Sequence, residues 1–237
     1  MIPNMSGPIE YLIVDFDRTL IRENLLIEWV FAILSEPGGN SRQRLRFLVK
    51  SLSRGIMSIV LSRYFGPSER AVRIACNTFR GIETRSLHDL ILKKRGWKGG
   101  YAINLNTEVA AMIGEILAAA RERRSVEPKI IISSQGSFTS AIRLFLNRQD
   151  VVQQMAKAGI HALRTDKCSI IANRLEVFDD RFTGRLIPPV VTKHIRLEFF
   201  PPNALFIGDR EDEAAIKRSG MSSLAFINHR KASAFNS

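Results

Sequence analysis

The sequence predicts an α/β fold, a doubly wound, Rossmann-like and mostly parallel sheet with an inserted all-helical block. Three observations carry this. Outside residues 24–100, short apolar runs alternate with helical periodicities, the pattern of strand–helix–strand units. The runs are apolar without alternation, as in parallel strands covered on both faces. And several end in polar residues, which is where open α/β sheets place their chemistry.

"YLIVD" at 11–15 reads as the first buried strand. From about Asn24 to Arg95 the apolar residues recur at three- and four-residue spacing, a run of helices with few strand signals. Breaks fall at 35–40, near Gly66-Pro67 and at 95–100. A strong helix follows over 106–124, then a strand at Ile130–Ile132 ending in Ser133 and Ser134, then a helix from "SFTSAIRLFLNR". "SIIANRLEVFDDRFTGRL" reads as a hairpin turning at Asp179-Asp180, and "VVTKHIRLEFF" as a helix. "NALFIGDREDEAAIKRSG" reads as strand, acidic loop and helix, and "SSLAFIN" as the last strand. The expected division is a core of residues 1–22 and 102–237, with a helical insertion over 23–101.

Composition is ordinary for a globular chain, with 45% hydrophobic and 24% charged residues among 237. No apolar run reaches the roughly 18 residues of a membrane span. Residues 1–10 lack the basic start and apolar core of a signal peptide. Cys76 and Cys168 are far apart and form no metal pattern, as for free thiols in a reducing compartment. The expected location is therefore the cytoplasm. The net charge of +12 favours anionic partners. These are phosphorylated metabolites, acidic lipid surfaces or nucleic acid, although no zinc-finger spacing or aromatic RNA-binding signature is present.

Three strand ends carry acids or hydroxyls: Asp15 with Asp17, Ser133 with Ser134, and Asp209 with Asp212 and Glu213. Clustered carboxylates repel unless a cation lies between them, and an all-oxygen set suits a hard ion such as Mg²⁺. The histidines His88, His161, His194 and His229 are scattered without ligand spacing, so no softer metal competes.

"DFDRT" resembles the first motif, DxDxT, of the haloacid dehalogenase-like (HAD) hydrolases. "IIISS" resembles the second, Lys193 in "VVTKHIRL" the third, and "LFIGDREDE" the fourth, in that order along the chain. The hairpin ahead of Lys193 and the helical block after the first motif resemble the phosphoserine-phosphatase-type branch with its type-1 cap. The resemblance implies a Mg²⁺-dependent phosphomonoester hydrolase with an aspartyl-phosphate intermediate. It makes Asp15 the nucleophile and Asp17 the general acid/base, whose backbone carbonyl also faces the metal. Ser133 would hold a phosphoryl oxygen, with Ser134 as the register alternative, and Lys193 would offset its charge. Asp209 would bind the metal together with Asp15 and Asp17, with Asp212 or Glu213 in support.

Thr19, Ser134, Glu23 and Asn24 are the substrate-binding candidates. In phosphoserine phosphatases a cap glutamate near the ninth residue past the nucleophile reads the substrate amine. Asn24 stands there, with Glu23 beside it, which argues against phosphoserine. Arg18 stands where many relatives carry Gly. The expected substrate is a small or lipid-linked phosphate, and the basic, amphipathic stretch 41–65 adds a peripheral membrane contact as an expectation. A phosphotransferase using the same intermediate, or a basic membrane- or nucleic-acid-binding protein that keeps only the fold, are the alternatives.

Overall fold

Strand β1 (Tyr11–Asp15) is the pivot of the sheet, because it pairs in parallel with β2 (Lys129–Phe138) on one side and β5 (Ala204–Gly208) on the other. The computed structural model describes residues 9–35, 45–55, 57, 69–94, 100–122, 127–161, 168–192, 200, 203–219 and 225–228. The order is β4-β3-β2-β1-β5-β6, completed by β3 (Cys168–Phe178), β4 (Arg181–Ile187) and β6 (Ala225–Asn228). All neighbours are parallel except β3 and β4. From β1 the chain winds outward through β2 and β3, then returns to the far side of β1 for β5 and β6. The strand order reverses at β1, the switch point beyond which open α/β sheets bind ligands.

The unbroken apolar run of β1 now has its reason. Leu12 and Val14 face one buried cluster, while Ile13 joins Ile131, Ala204 and Phe206 in a second. Successive side chains point to opposite faces, and both faces are covered. Helices α5 (Thr107–Glu122), α6 (Thr139–Leu146), α7 (Gln149–Lys157) and α8 (Arg210–Ser219) complete the α/β part. The hairpin turns at Asp179 and Asp180, with φ of 50° and 54°. Two consecutive left-handed residues match the twist of a two-residue hairpin, and Asp tolerates them.

Three expectations change. The second strand does not stop at Ile132 but runs to Phe138 with a register shift after Ser133, so Ser137 is extended rather than helical. The loop expected after Gly208 is absent. Helix α8 starts at Arg210, so Asp212 and Glu213 are helical residues. The helix expected over 190–200 falls largely on 193–199, outside the described residues.

The insertion contributes α1 (Leu25–Ser35), α2 (45–55), α3 (Glu69–Cys76), a short 3₁₀ turn (Asn77–Phe79) and α4 (Thr84–Leu92). Its interior is continuous with that of the sheet. Trp29 of α1 stacks on Phe79 at 3.9 Å and meets Phe182 of β4 edge-on at 5.2 Å. Both rings also approach Phe138 at the end of β2 edge-on. Its indole N–H donates to Ser86 Oγ at 3.0 Å, so the polar end of the buried ring is satisfied. Truncating such a side chain typically costs about 3–5 kcal/mol. The insertion is thus fixed by aromatic packing to both β2 and the hairpin.

Candidate functional site

Asp15 ends β1 with Ser133 of β2 as its register partner, and β5 ends alongside at Gly208. The residues after Asp15 cannot continue the strand. Within Phe16–Leu20, Asp17 is extended (φ −72°, ψ 129°) and Arg18 is left-handed (φ 59°, ψ 10°). A left-handed non-glycine residue costs about 1–2 kcal/mol. This is the backbone reason for a glycine at that place in the family resembled above.

The turn aims the Asp17 carboxylate at three donors. Oδ2 accepts from Ser134 Oγ and Ser137 Oγ, each at 2.7 Å, and Oδ1 accepts from the Leu25 backbone N–H at 2.9 Å. Asn24 Oδ1 accepts from Ile27 N–H at 3.2 Å. Between them, Asp17 and Asn24 satisfy two of the free N–H groups at the start of α1, where negative charge is also favoured by the helix dipole. One carboxylate therefore ties the end of β2 to the first helix of the insertion.

On the other side, Asp209 and Asp212 cap α8 reciprocally. Asp209 N–H donates to Asp212 Oδ2 and Asp212 N–H to Asp209 Oδ1, both at 3.3 Å. Gly208 makes room for this. A Cβ there would stand 2.7 Å from Asp212 Oδ2.

These groups enclose one cavity of about 240 Å³. Asp15, Asp17, Asp209 and Asp212 line it together with Arg18, and Ser134, Gln135 and Gly136 form one side. The insertion supplies Asn24, Leu26, Val72, Ala75 and Cys76. Burial pushes the Cys76 thiol up to about 12, so this sulfur is an inert, neutral part of the wall.

The remaining candidates are placed as follows. Of the two serines, Ser134 lines the cavity. Ser133 is fully buried, on the same face of the sheet as Asp15 by register, and its hydroxyl has no hydrogen-bond partner among the described residues. Thr19 is likewise buried with its hydroxyl unpartnered. Buried hydroxyls in that state are rare, and Ser133 is the strand neighbour of Asp15. Glu23 is turned away from the cavity, accepting from Asn104 N–H at 2.9 Å and Asn104 Nδ2 at 3.2 Å. Glu213 is also turned away, to Lys217 Nζ and Asn228 Nδ2, each at 3.0 Å. Asp212, not Glu213, faces the cavity. Lys193 lies outside the described residues.

Among the described residues, no three of His, Cys, Asp or Glu converge as a ready-made metal site. The hydrogen bonds explain how this coexists with four acids in one cavity. The Asp17 carboxylate is committed to Ser134, Ser137 and Leu25, and Asp212 is engaged with the Asp209 backbone. Asp15 and Asp209 line the same cavity, with the Asp17 carbonyl nearby in the chain. A donor set of one or two carboxylates with most positions left to water suits Mg²⁺.

Two contributors carried no legible signal in the sequence. Ser137 reads as the start of a helix until β2 is seen to extend past it. Asn173 lies inside β3, fully buried, where its amide donates to Gln135 O at 2.9 Å and Val191 O at 3.0 Å and accepts from Val191 N–H at 2.8 Å. It ties the cavity loop to the segment leading to Lys193, a pairing between distant parts of the chain.

The fold is similar to that of a solved phosphoserine phosphatase carrying a phospho-aspartyl intermediate analogue. The TM-score is 0.53 at 16% identity, covering 94% of this chain and 88% of that one. The chain has a phosphoserine-phosphatase-like fold. A substrate-bound phosphoserine phosphatase complex gives 0.51 at 17% identity, covering 90% and 83% of the two chains. A protein of unknown function from Bordetella pertussis Tohama I gives 0.50 at 13% identity, covering 92% and 98%. No protein-family model matches, and no curated protein matches.

Proposed function

We propose that this protein is a phosphomonoester hydrolase that works through an aspartyl-phosphate on Asp15. The observation that carries the reading is the convergence of Asp15, Asp17, Asp209 and Asp212 on one cavity at the switch point of the sheet. In this scheme an Asp15 carboxylate oxygen attacks phosphorus as the ester P–O bond breaks. Asp17 gives its proton to the leaving alcohol oxygen. A water then attacks the acyl-phosphate, Asp17 takes the proton back, and inorganic phosphate leaves with Asp15 regenerated. Ser134 and Ser137 hold the Asp17 carboxylate in place for both transfers. Mg²⁺ held by Asp15, Asp209 and the Asp17 carbonyl would offset the phosphoryl charge. Lys193 is assigned to the phosphoryl oxygens from the motif it resembles, as is the serine of the second motif, Ser133 or its register alternative Ser134, of which Ser134 lines the cavity.

The wall supplied by the insertion supports an uncharged leaving group. Leu26, Val72, Ala75 and Cys76 are apolar or neutral, Asn24 is polar without charge, and Glu23 faces Asn104 instead. Among the described residues, no acid from this wall is placed to read a substrate ammonium, which favours a small or lipid-linked alcohol phosphate over phosphoserine.

Hydrolysis of para-nitrophenyl phosphate by the purified chain, with and without Mg²⁺, tests the reading. Turnover should require the ion, and Asp15→Asn should abolish it while the thermal unfolding midpoint stays within a few degrees. Full activity in excess chelator would refute the metal assignment, and an active Asp15→Asn variant the covalent route.

A further inference from the structure

Helix α2 carries an apolar stripe on its outer side, while Phe47 lies among the half-buried residues of the opposite side. At about 100° per residue, Leu45, Val49 and Leu52 fall within an arc of about 60°. That arc faces solvent, with the three side chains 61%, 58% and 56% exposed. Lys50 and Arg54 lie on the opposite side and are half-buried, with the Arg54 guanidinium donating to Asn77 O in the 3₁₀ turn. A globular helix normally does the reverse, burying its apolar stripe and hydrating its charges.

The exposed stripe has company. Among the described residues, eleven large apolar side chains are exposed, and six of them lie between residues 27 and 57: Ile27, Phe31, Leu45, Val49, Leu52 and Met57. Leu45, Val49 and Leu52 share one face of α2, and contiguous exposure of this kind marks an interaction surface. The chemistry of the occupant follows from charge. Residues 41–65 hold six basic residues and no acidic one, in a chain of net charge +12. A second copy of this chain would bring the same positive charge to the contact. An anionic lipid surface complements both the apolar stripe and the charge.

We propose that the outer face of the insertion, formed by Leu45, Val49 and Leu52 of α2, docks on an anionic lipid bilayer. The apolar side chains enter the acyl boundary, and Arg46 beside them stays at the headgroup level. The driving force is therefore apolar insertion assisted by charge, with Lys50 and Arg54 on the opposite side of the helix. The proposal stands independently of the catalytic reading, because no residue of α2 lines the cavity.

Co-sedimentation with vesicles of phosphatidylcholine containing one third phosphatidylglycerol tests it. The native chain should bind these and bind pure phosphatidylcholine much more weakly. Leu45→Gln, Val49→Gln and Leu52→Gln together should weaken binding by roughly a hundredfold, given what burying each such side chain is worth. Turnover of para-nitrophenyl phosphate should be unchanged, which also shows the triple variant to be folded. A Val49→Trp variant should shift its emission to the blue on anionic vesicles. Failure of the native chain to bind at low salt, equal binding by the triple variant, or a dimer that only the triple variant dissolves would each overturn the proposal.

Discussion

Ser137 Oγ donates to Asp17 Oδ2 at 2.7 Å across 120 positions of sequence, and Ser134 Oγ reaches the same oxygen at the same distance. A carboxylate held this way keeps one orientation through repeated proton transfers. Ser137→Ala removes one donor and leaves Ser134 and Leu25 in place. Its kcat should fall by roughly ten- to a hundredfold, the range set by a lost charge-assisted hydrogen bond, with KM and folding little changed. Steady-state kinetics at saturating Mg²⁺ would show it, and an unchanged kcat would remove Ser137 from the machinery.

Asp212 and Glu213 should separate cleanly. Asp212→Ala loses the reciprocal cap with Asp209 and a carboxylate of the cavity, so turnover should drop at least tenfold and more Mg²⁺ should be needed for half-maximal rate. Glu213→Ala loses bonds to Lys217 and Asn228 that lie away from the cavity, so it should cost about 1 kcal/mol of stability with activity nearly intact. Gly208→Ala should behave like Asp212→Ala, since the added methyl would stand 2.7 Å from Asp212 Oδ2. The reverse ranking of the two acids in a Mg²⁺ titration would show that the cavity assignment is wrong.

Arg148 joins the far end of the insertion to the core. Its side chain is 4% exposed, pairs with Asp150 at 2.7 Å, and donates to Ile91 O at 3.1 Å and Ile103 O at 2.8 Å. Its guanidinium also stacks 3.7 Å from the Tyr101 ring centroid. Arg148→Ala strands two buried carbonyls and should cost about 3 kcal/mol. Arg148→Lys should recover only part of this, because one ammonium cannot reproduce the planar fork. Urea unfolding of the three proteins checks the order.

Cys76 gives the chain an alkaline weakness. Burial raises its thiol from 9.0 to about 12, so the folded state holds the proton more tightly than the unfolded chain does. The resulting stabilisation is complete below pH 9 and is lost as pH rises toward 12. Cys76→Ala lacks this dependence. Its stability deficit relative to the native chain should therefore shrink between about pH 8 and about pH 10, measured by denaturant unfolding. A constant deficit would contradict the burial of the thiol.

The sequence by itself determined what depends on local pattern and chain order. The apolar run of β1, the Asp-Asp turn of the hairpin, the helical insertion and the acids at strand ends were all legible. Each is written in residue periodicity, turn chemistry or position after a strand. What only the tertiary structure decided is which member of each neighbouring pair meets the cavity. Ser134 and not Ser133 does so because the register of β2 shifts after Ser133 and the backbone leaves regular strand alternation there, which no local pattern in the sequence announces. Asp212 and not Glu213 does so because α8 begins at once after Asp209 and turns neighbouring side chains about 100° apart. Asn173 became legible only when β3 brought it between residues 135 and 191. The outward face of α2 follows the same logic. Its amphipathic period was plain in sequence, but a period fixes only that two faces differ, and packing against the 3₁₀ turn chose which one is buried.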